Sequence, residues 1–441
     1  MTHRSTFMRL GAMLVAAALT GLAGAGPAAA KTEITWWHGN TGAIADRITE
    51  LAKKFSEKQG DYEVKTVYKG SYPEALAALI AAYRSKTQPH MALIFEVGTQ
   101  TMVASGAVVP VFELMKEQGV SIEGADFIAP VKSYYSKDGQ LYSMPFASST
   151  AIFYYNKDAF KKAGLDPAKA PATFDEIEAA AKKIIASGAA KCAFSHAWPS
   201  WTMVEQMHAW HDQPFADQDN GFKGFATQLR VNGEFGVKVW DTLARWQKAG
   251  LYTYGGRTNK AEPMFTGGQC AMHVTSSAFM GAVMRDAKFE WGTGRLPRMA
   301  GYGQGNSIIG GTTIWVMKGH KPAEYKGMAQ FLKFLGDDDQ QAWWHQVTGY
   351  LPVSQSAFRK LQADGWFQKH PNHFTAFDQI SSGKTTAQSQ GVRIGNYQAV
   401  RDALEAELES VIAGNKTAKQ GLDDAVKKGN ELLKEFAALY K

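Results

Sequence analysis

The strongest constraint on the fold of this chain is a regular alternation of short apolar runs with amphipathic helical patterns. The run Met91–Phe95 is apolar throughout, which is the pattern of a strand buried on both faces of a sheet. Before it, Leu76, Leu79, Ile80 and Tyr83 recur with the spacing of one helix face. Strands that alternate with helices are typical of α/β folds with parallel strands, so we predict an α/β protein.

The first thirty residues have the composition of an export signal. Basic residues precede an apolar stretch, Leu10–Leu22, and Ala28–Ala30 match a small-residue cleavage site. The stretch is shorter than the roughly 18 to 20 residues of a membrane span. We therefore expect a mature chain that starts at Lys31, is exported to the periplasm and is soluble there.

Length and charge limit the number of lobes and the kinds of binding partner that this chain can have. The mature chain would have 411 residues, the full 441 less 30, which is more than one hydrophobic core usually holds. Two lobes are therefore expected. The formal net charge of +7 falls to +5 without Arg4 and Arg9, and it is spread along the chain without a basic block. That distribution argues against nucleic acid and is compatible with small anions.

The motifs of enzymes and metal proteins are missing from the sequence. It contains no G-x-S-x-G elbow and no P-loop. Glu205, His208 and His211 share one helix face but lack a distant third metal ligand, so they are expected to pack rather than bind metal. Cys192 and Cys270 could be a disulfide or two buried thiols, and spacing leaves both open. We predict no catalytic residue, no cofactor and no metal.

Several polar or glycine positions nevertheless occupy places where ligands bind. Glu96 ends the buried run, where α/β sheets bind ligands, although it could be a solvated acid. Gly310 and Gly311 precede a β-branched strand and could admit an anion or form a hinge. Tyr350, in a Gly-Tyr-Leu-Pro turn, could belong to the core or face a ligand. Arg401 lies one residue from the apolar stripe of its helix, as a surface arginine or a donor into a cleft.

Eight segments of the mature chain, taken together and in order, resemble the sn-glycerol-3-phosphate-binding periplasmic proteins of ABC importers, a group of the family 1 extracellular solute-binding proteins. The segments are "WWHGN", "VYKGSYPEAL", "FEVGTQTMVASGAVVP", "PFASSTAIFYYNKDAFKKAGLDP", "FTGGQCAMHVTSSA", "IIGGTTIWVMKG", "WHQVTGYLPVS" and "GVRIGNYQAVRDALEAELESV". The resemblance implies a monomeric two-lobed periplasmic-binding-protein fold (Venus-flytrap, type II), with a ligand cleft between the lobes. It also implies a membrane permease as docking partner.

The same resemblance implies a set of ligand-binding residues. By motif they are Tyr72, Glu96, Ser149, Phe174, Ser276, Gly311, Tyr350 and Arg401. Arg401 is expected to hold the phosphate, and Glu96 and Tyr72 to read the glycerol hydroxyls. Phe174 stands where relatives carry a tryptophan that packs on the glycerol. On this basis Arg401→Ala should cost roughly 2 to 5 kcal/mol of binding and shift stability by no more than about 0.5 kcal/mol.

The domain boundaries and the ligand complete the expectations. Residues 1–30 are the signal, 31–148 and 309–350 the N-terminal lobe, and 149–308 and 351–441 the C-terminal lobe. The expected function is capture of sn-glycerol-3-phosphate for uptake, with glycerophosphocholine and other glycerophosphodiesters left open as the natural ligand. The alternatives are an oligosaccharide receptor of the same family and a secreted hydrolase of glycerophosphodiesters.

Overall fold

The computed structural model describes residues 30–121 and 126–440. The predicted export signal lies outside the described residues, apart from its last position. Within residues 30–121 and 126–440, no helix combines the length and apolarity needed to cross a membrane.

The described residues contain twelve strands in three sheets. In chain order the strands are β1 (Thr32–His38), β2 (Tyr62–Tyr68), β3 (Met91–Phe95), β4 (Val108–Val109), β5 (Ser136–Lys137), β6 (Gln140–Leu141), β7 (Met144–Ser149), β8 (Ala151–Asn156), β9 (Cys192–His196), β10 (Cys270–Ser276), β11 (Trp291–Gly294) and β12 (Gly310–Met317). The first sheet has the order β2-β1-β3-β12-β4, and β7 also pairs with β12. The second has the order β11-β8-β10-β9, and β5 with β6 forms a separate hairpin.

Both large sheets are mixed. β1 is parallel to β2 and β3, whereas β12 is antiparallel to β3, β4 and β7. β10 is parallel to β9 and antiparallel to β8. The parallel pairing expected from the strand and helix alternation is therefore found among β1, β2 and β3 in the first sheet and between β9 and β10 in the second. The antiparallel part comes from β12 in the first sheet and from β8 in the second.

Helices cover the sheets. In the described residues and in chain order they are α1 (Gly42–Lys58), α2 (Tyr72–Arg84), α3 (Thr99–Ala104), α4 (Val111–Glu117), α5 (Ala129–Tyr135), α6 (Lys157–Lys162), α7 (Phe174–Ala186), α8 (Gln206–Trp210), α9 (Asp217–Asn220), α10 (Glu234–Lys248), α11 (Glu262–Thr266), α12 (Met280–Asp286), α13 (Pro322–Gly336), α14 (Asp338–Thr348), α15 (Gln355–Ala363), α16 (Trp366–Lys369), α17 (Phe374–Ser382), α18 (Tyr397–Ile412) and α19 (Ala418–Leu439). Short 3-10 helices span Glu96–Gly98, Ser277–Phe279 and Pro371–His373, and a π-helix spans Trp201–Glu205.

In helix α2, the local sequence fixes the position of Tyr72, one of the residues predicted to bind ligand. Its start is fixed by a capping box, in which the Glu74 carboxylate accepts a 2.6 Å hydrogen bond from the Ser71 amide. Leu76 and Leu79 bury one face of the helix, as predicted. The capping box fixes the position of Tyr72, because this tyrosine is the first residue of α2.

Two adjacent segments connect the large sheets. Ser149 ends β7 in the first sheet, and β8 of the second sheet begins two residues later. The chain returns through β12, whose first residue, Gly310, pairs with Ser149. A Cβ on Gly310 would lie 2.4 Å from the Trp201 ring, so only glycine fits there. We call the elements packed on the first sheet the first lobe and those packed on the second sheet the second lobe.

The fold is therefore a two-lobed α/β structure, as predicted, and the sequence boundaries given for the lobes stay a prediction. The second lobe is cross-linked internally. Cys192 and Cys270, in register on the parallel strands β9 and β10, form a disulfide with Cα atoms 4.4 Å apart. The sequence left open whether the two cysteines form a disulfide or are buried thiols, and the structure shows the disulfide.

Candidate functional site between the two lobes

A cavity of about 490 Å³ lies between the lobes. Seven of the eight residues predicted to bind ligand line it: Tyr72, Glu96, Ser149, Ser276, Gly311, Tyr350 and Arg401. They meet there because the ends of β3, β7 and β10 and the starts of α2 and β12 converge on the space between the sheets. The topology thus brings together positions up to 329 residues apart in the chain, Tyr72 and Arg401.

Phe174 does not line this cavity. It is the first residue of α7 and is buried in the second lobe, where its ring stacks on Trp246 at 5.6 Å. We therefore leave Phe174 out of the candidate site.

Trp198 supplies the large aromatic surface of the cavity instead. It follows β9, lines the cavity and stacks on Tyr72 at 5.9 Å with an interplanar angle of 25°. Its φ of 55° lies in the left-handed region, which is rare for a tryptophan and marks a position held by its surroundings. Sequence reasoning missed it, although the argument that selected Glu96, a position just beyond a buried strand, applies to Trp198 as well.

Arg401 is held by two carboxylates. Its Nε and Nη2 donate to Glu205 at 2.7 Å each, and Nη2 also donates to Glu96 at 2.8 Å. The three side chains are buried, with residue exposures of 5%, 1% and 6% for Arg401, Glu205 and Glu96. Glu205 reaches the arginine from the π-helix, an element that recurs at functional sites.

This geometry decides between the alternatives that the sequence left open for Arg401 and Glu96. Arg401 is not a surface residue and Glu96 is not a solvated acid, because both are buried and paired. The prediction that Arg401→Ala shifts stability by no more than about 0.5 kcal/mol assumed a surface position. The buried ion pairs contradict that assumption, since removing one member of a buried ion pair is strongly destabilising. Arg401 was expected to hold phosphate, but the guanidinium edge formed by its Nε and Nη2 is occupied by Glu205.

A chain of hydroxyls crosses the cavity wall. The Asn40 side-chain amide donates to the Tyr72 hydroxyl at 2.9 Å, and the hydroxyls of Tyr72 and Tyr350 lie 3.1 Å apart. Two contacts fix Tyr350 in place: its ring stacks on Trp344 at 5.7 Å, and its backbone carbonyl accepts a 2.6 Å hydrogen bond from His345. Tyr350 is thus buried and also lines the cavity, so both readings of the turn are correct.

Ser276 and Gly311 complete the neutral wall. The Ser276 hydroxyl oxygen accepts from the Ala278 amide at 3.1 Å, so its own proton is available to an acceptor in the cavity. Gly311 has a φ of 90°, and a Cβ there would lie 2.0 Å from the Ala147 carbonyl oxygen. Only glycine permits this close approach of two backbones at the cavity edge.

The cavity therefore has two electrostatically different regions. Around Arg401, one guanidinium faces two carboxylates, which gives the ionised cluster a formal charge of −1. Burial raises the pKa of Glu96, and the adjacent Arg401 opposes that shift. Around Ser276 and Tyr350 the wall offers hydroxyl donors. Burial raises the pKa of Tyr72 to about 12 and that of Tyr350 well above its ordinary value, so both keep their protons at neutral pH.

The histidine groups do not form a convincing metal site. His208 and His211 each donate Nδ1 to a backbone carbonyl, and His211 Nε2 accepts from the Met299 amide. Elsewhere, His90 and His320 lie near Glu324. His90 Nδ1 accepts from the backbone amide of the first strand at 3.0 Å, which places the proton on Nε2 and removes the lone pair that a metal would need.

Comparison with known proteins agrees with this architecture. Residues 50–375 match the model of a family described as bacterial extracellular solute-binding protein. The chain is 41% identical over 423 residues to the sn-glycerol-3-phosphate-binding periplasmic protein UgpB of Brucella melitensis, covering 95% of this chain and 98% of that protein. It is 40% identical to UgpB of Escherichia coli K12, covering 94% and 96%.

Solved structures share the fold. UgpB from Mycobacterium tuberculosis, in complex with glycerophosphocholine, superposes with a TM-score of 0.78 at 21% identity, covering 92% of this chain and 99% of that one. Maltose-bound MalE3 of T. maritima superposes with a TM-score of 0.73 at 18% identity, with the same coverage. At these identities the likeness concerns the fold alone.

Proposed function

The chain belongs to the family of bacterial extracellular solute-binding proteins, and on that premise we propose that it is the periplasmic receptor that captures sn-glycerol-3-phosphate, or a glycerophosphodiester, for uptake by an ABC permease. We further propose that the receptor is a monomer and that the permease subunits recognise it. It includes no catalytic step, because the residues around the cavity offer donors and acceptors that fit binding. Relatives that share about 40% of the sequence over almost the whole chain carry the glycerol-3-phosphate name.

The observation that carries the proposal is the two-region cavity. A glycerol phosphate has a neutral polyol end and an anionic phosphate end. The cavity also has two different ends, a charged one around Arg401 and a hydroxyl-rich one around Ser276 and Tyr350. Trp198 adds an apolar ring face on which a carbon chain can lie. The volume of about 490 Å³ also leaves room for a substituent on the phosphate, so diesters remain within the proposal.

We place the ligand with its glycerol near Arg401 and its phosphate near Ser276. The cluster of Arg401 with Glu96 and Glu205 is formally negative, so it would repel a phosphate. The same cluster suits hydroxyls, which donate to carboxylates and accept from guanidinium. This assignment reverses the role that the family resemblance implied for Arg401 and follows from the ion pairs.

The test of the function is calorimetric titration of the mature protein. We expect saturable binding of sn-glycerol-3-phosphate with one site per chain and no turnover of the ligand. Competition with glycerophosphocholine then shows whether the protein binds the phosphate monoester or the diester with higher affinity. Binding of maltose with no response to either phosphate ester would replace the proposal with the oligosaccharide-receptor alternative, which the aromatic surface of Trp198 in the cavity favours. Release of choline or glycerol from a diester would instead identify the hydrolase.

A further inference from the structure

Glu262 is a cavity residue to which neither the family resemblance nor the ion-pair network assigns a role. It begins α11 and lines the space between the lobes together with Ser276 and Tyr350. Its Oε1 accepts a 3.1 Å hydrogen bond from the hydroxyl of Thr275, the residue before Ser276 on β10. Glu262 therefore belongs to the hydroxyl-rich end of the cavity, where we place the phosphate.

The surroundings of Glu262 supply no compensating cation. In the described part of the chain it has no ion-pair partner, and its polar contacts are the neutral side chains of Thr275 and Asn259. The elements packed most extensively against α11 are β9, β10 and α12, and Tyr154 of β8 contacts Phe265 of α11. The titratable and charged side chains of these four elements are His196 on β9, His273 on β10, Arg285 and Asp286 on α12, and Tyr154 and Tyr155 on β8. Tyr72 and Tyr350 line the same cavity as protonated phenols.

None of those groups neutralises a carboxylate at this position. Burial lowers the pKa of His196 and His273 to about 3, so both are neutral at pH 7. Arg285 is engaged in an ion pair of 2.7 Å with Asp286. Across the cavity, Arg401 already faces two carboxylates. Burial accordingly raises the pKa of Glu262 to about 8, against the lowering effect of Thr275 and Asn259.

We propose that Glu262 takes part in ligand recognition as a neutral carboxylic acid, which donates a hydrogen bond to a phosphoryl oxygen and loses that ability when it ionises. An acid in this state resembles the hydroxyls beside it, because it has a proton to give and no charge to repel an oxyanion. An ionised Glu262 would face the phosphate as a like charge from a half-buried position in the cavity wall. Glu262 would thereby make the receptor selective for its anionic ligand at and below neutral pH.

The inference rests on the proposed function and predicts a specific pH profile. Between pH 7 and 9.5 a phosphate monoester keeps a constant charge, because its second pKa is about 6. If only the neutral acid binds, affinity for sn-glycerol-3-phosphate should be nearly constant to pH 7.5 and fall about 30-fold by pH 9.5, from linkage to a pKa of about 8. Binding near pH 8.5 should also take up a proton, which appears as a dependence of the calorimetric heat on the ionisation enthalpy of the buffer.

Two variants separate this role from other effects of high pH. Glu262→Gln cannot titrate in this range and should remove the decline in affinity between pH 7.5 and 9.5. Glu234→Gln, an exposed position on α10, should keep the parental profile. Melting temperatures of all three proteins across the same pH range show whether each stays folded.

The outcomes distinguish this inference from the proposed function. A parent protein that binds no glycerol phosphate at any pH contradicts the function itself. A parent protein that binds with a flat profile, or whose affinity rises with pH, overturns the role of Glu262 and leaves the function standing. The same holds if Glu262→Gln retains the parental decline, because another group would then be the one that titrates.

Discussion

The buried triad of Arg401, Glu96 and Glu205 decides how single residues at this site respond to substitution. The arginine serves two roles, since it lines the cavity and also neutralises carboxylates that have 6% and 1% exposure. We expect Arg401→Met to lower the free energy of unfolding by about 3 to 5 kcal/mol, the cost of leaving a buried charge without its partner. Chemical denaturation at pH 7 measures this loss.

The pH dependence of that loss identifies its cause. Burial raises the pKa of Glu96 even in the presence of Arg401, so removal of the cation should raise it further. A carboxyl whose folded pKa lies above its unfolded value favours folding when protonated, so the variant should regain stability as the pH falls from 7 to 5. Arg359→Met, which removes an exposed pair with Asp126, should cost no more than about 1 kcal/mol at either pH. Equal small losses in both variants would refute the buried-charge explanation.

Secondary-structure elements show what the sequence could and could not predict. The helical spacing of Leu76, Leu79, Ile80 and Tyr83 and the apolar run Met91–Phe95 are local signals, and α2 and β3 formed where these signals predict a helix and a strand. Glu96 followed from the general geometry of α/β sheets, whereas Ser149 and Ser276 were predicted from the family resemblance. The pairing of Arg401 with Glu205 did not follow, because it joins residues 196 positions apart. Trp198 was missed although it lies just beyond a buried strand, as Glu96 does; its contact with Tyr72 in the other lobe had no local signal.

The disulfide is a second contact that no spacing could predict, and it should stabilise the second sheet. It joins β9 to β10 across 78 residues of chain, a loop for which the chain-entropy model gives on the order of 4 kcal/mol. We expect reduction of the mature protein to lower its melting temperature. The Cys192→Ala, Cys270→Ala double variant should melt at the lower temperature with or without reductant. An unchanged melting temperature on reduction of the parent, with free thiols verified by titration, would contradict this stabilisation.

At the scale of the whole molecule, the two connecting segments and the contacts across the cavity predict a hinge. The lobes are linked side by side at Ser149 and Gly310. The carboxylate of Glu96 in the first lobe accepts a hydrogen bond from Arg401 of the second, and Tyr72 stacks on Trp198. A ligand that touches both walls favours the closed arrangement by the contacts it gains there. Small-angle scattering should therefore show a smaller radius of gyration when sn-glycerol-3-phosphate saturates the protein.

A variant at the cavity tests whether the ion pair itself biases the lobes towards closure. Glu96→Gln weakens a charged hydrogen bond worth about 1.5 to 3 kcal/mol between the lobes, so the unliganded variant should have a larger radius of gyration than the unliganded parent. Glu50→Gln is the matched control, because Glu50 pairs with Arg47 and Lys54 on the outer face of α1 and contacts neither connection. If ligand leaves the radius unchanged in the parent, the hinge is refuted. If Glu96→Gln scatters like the control, the ion pair between the lobes does not hold them together, and closure depends on the ligand alone.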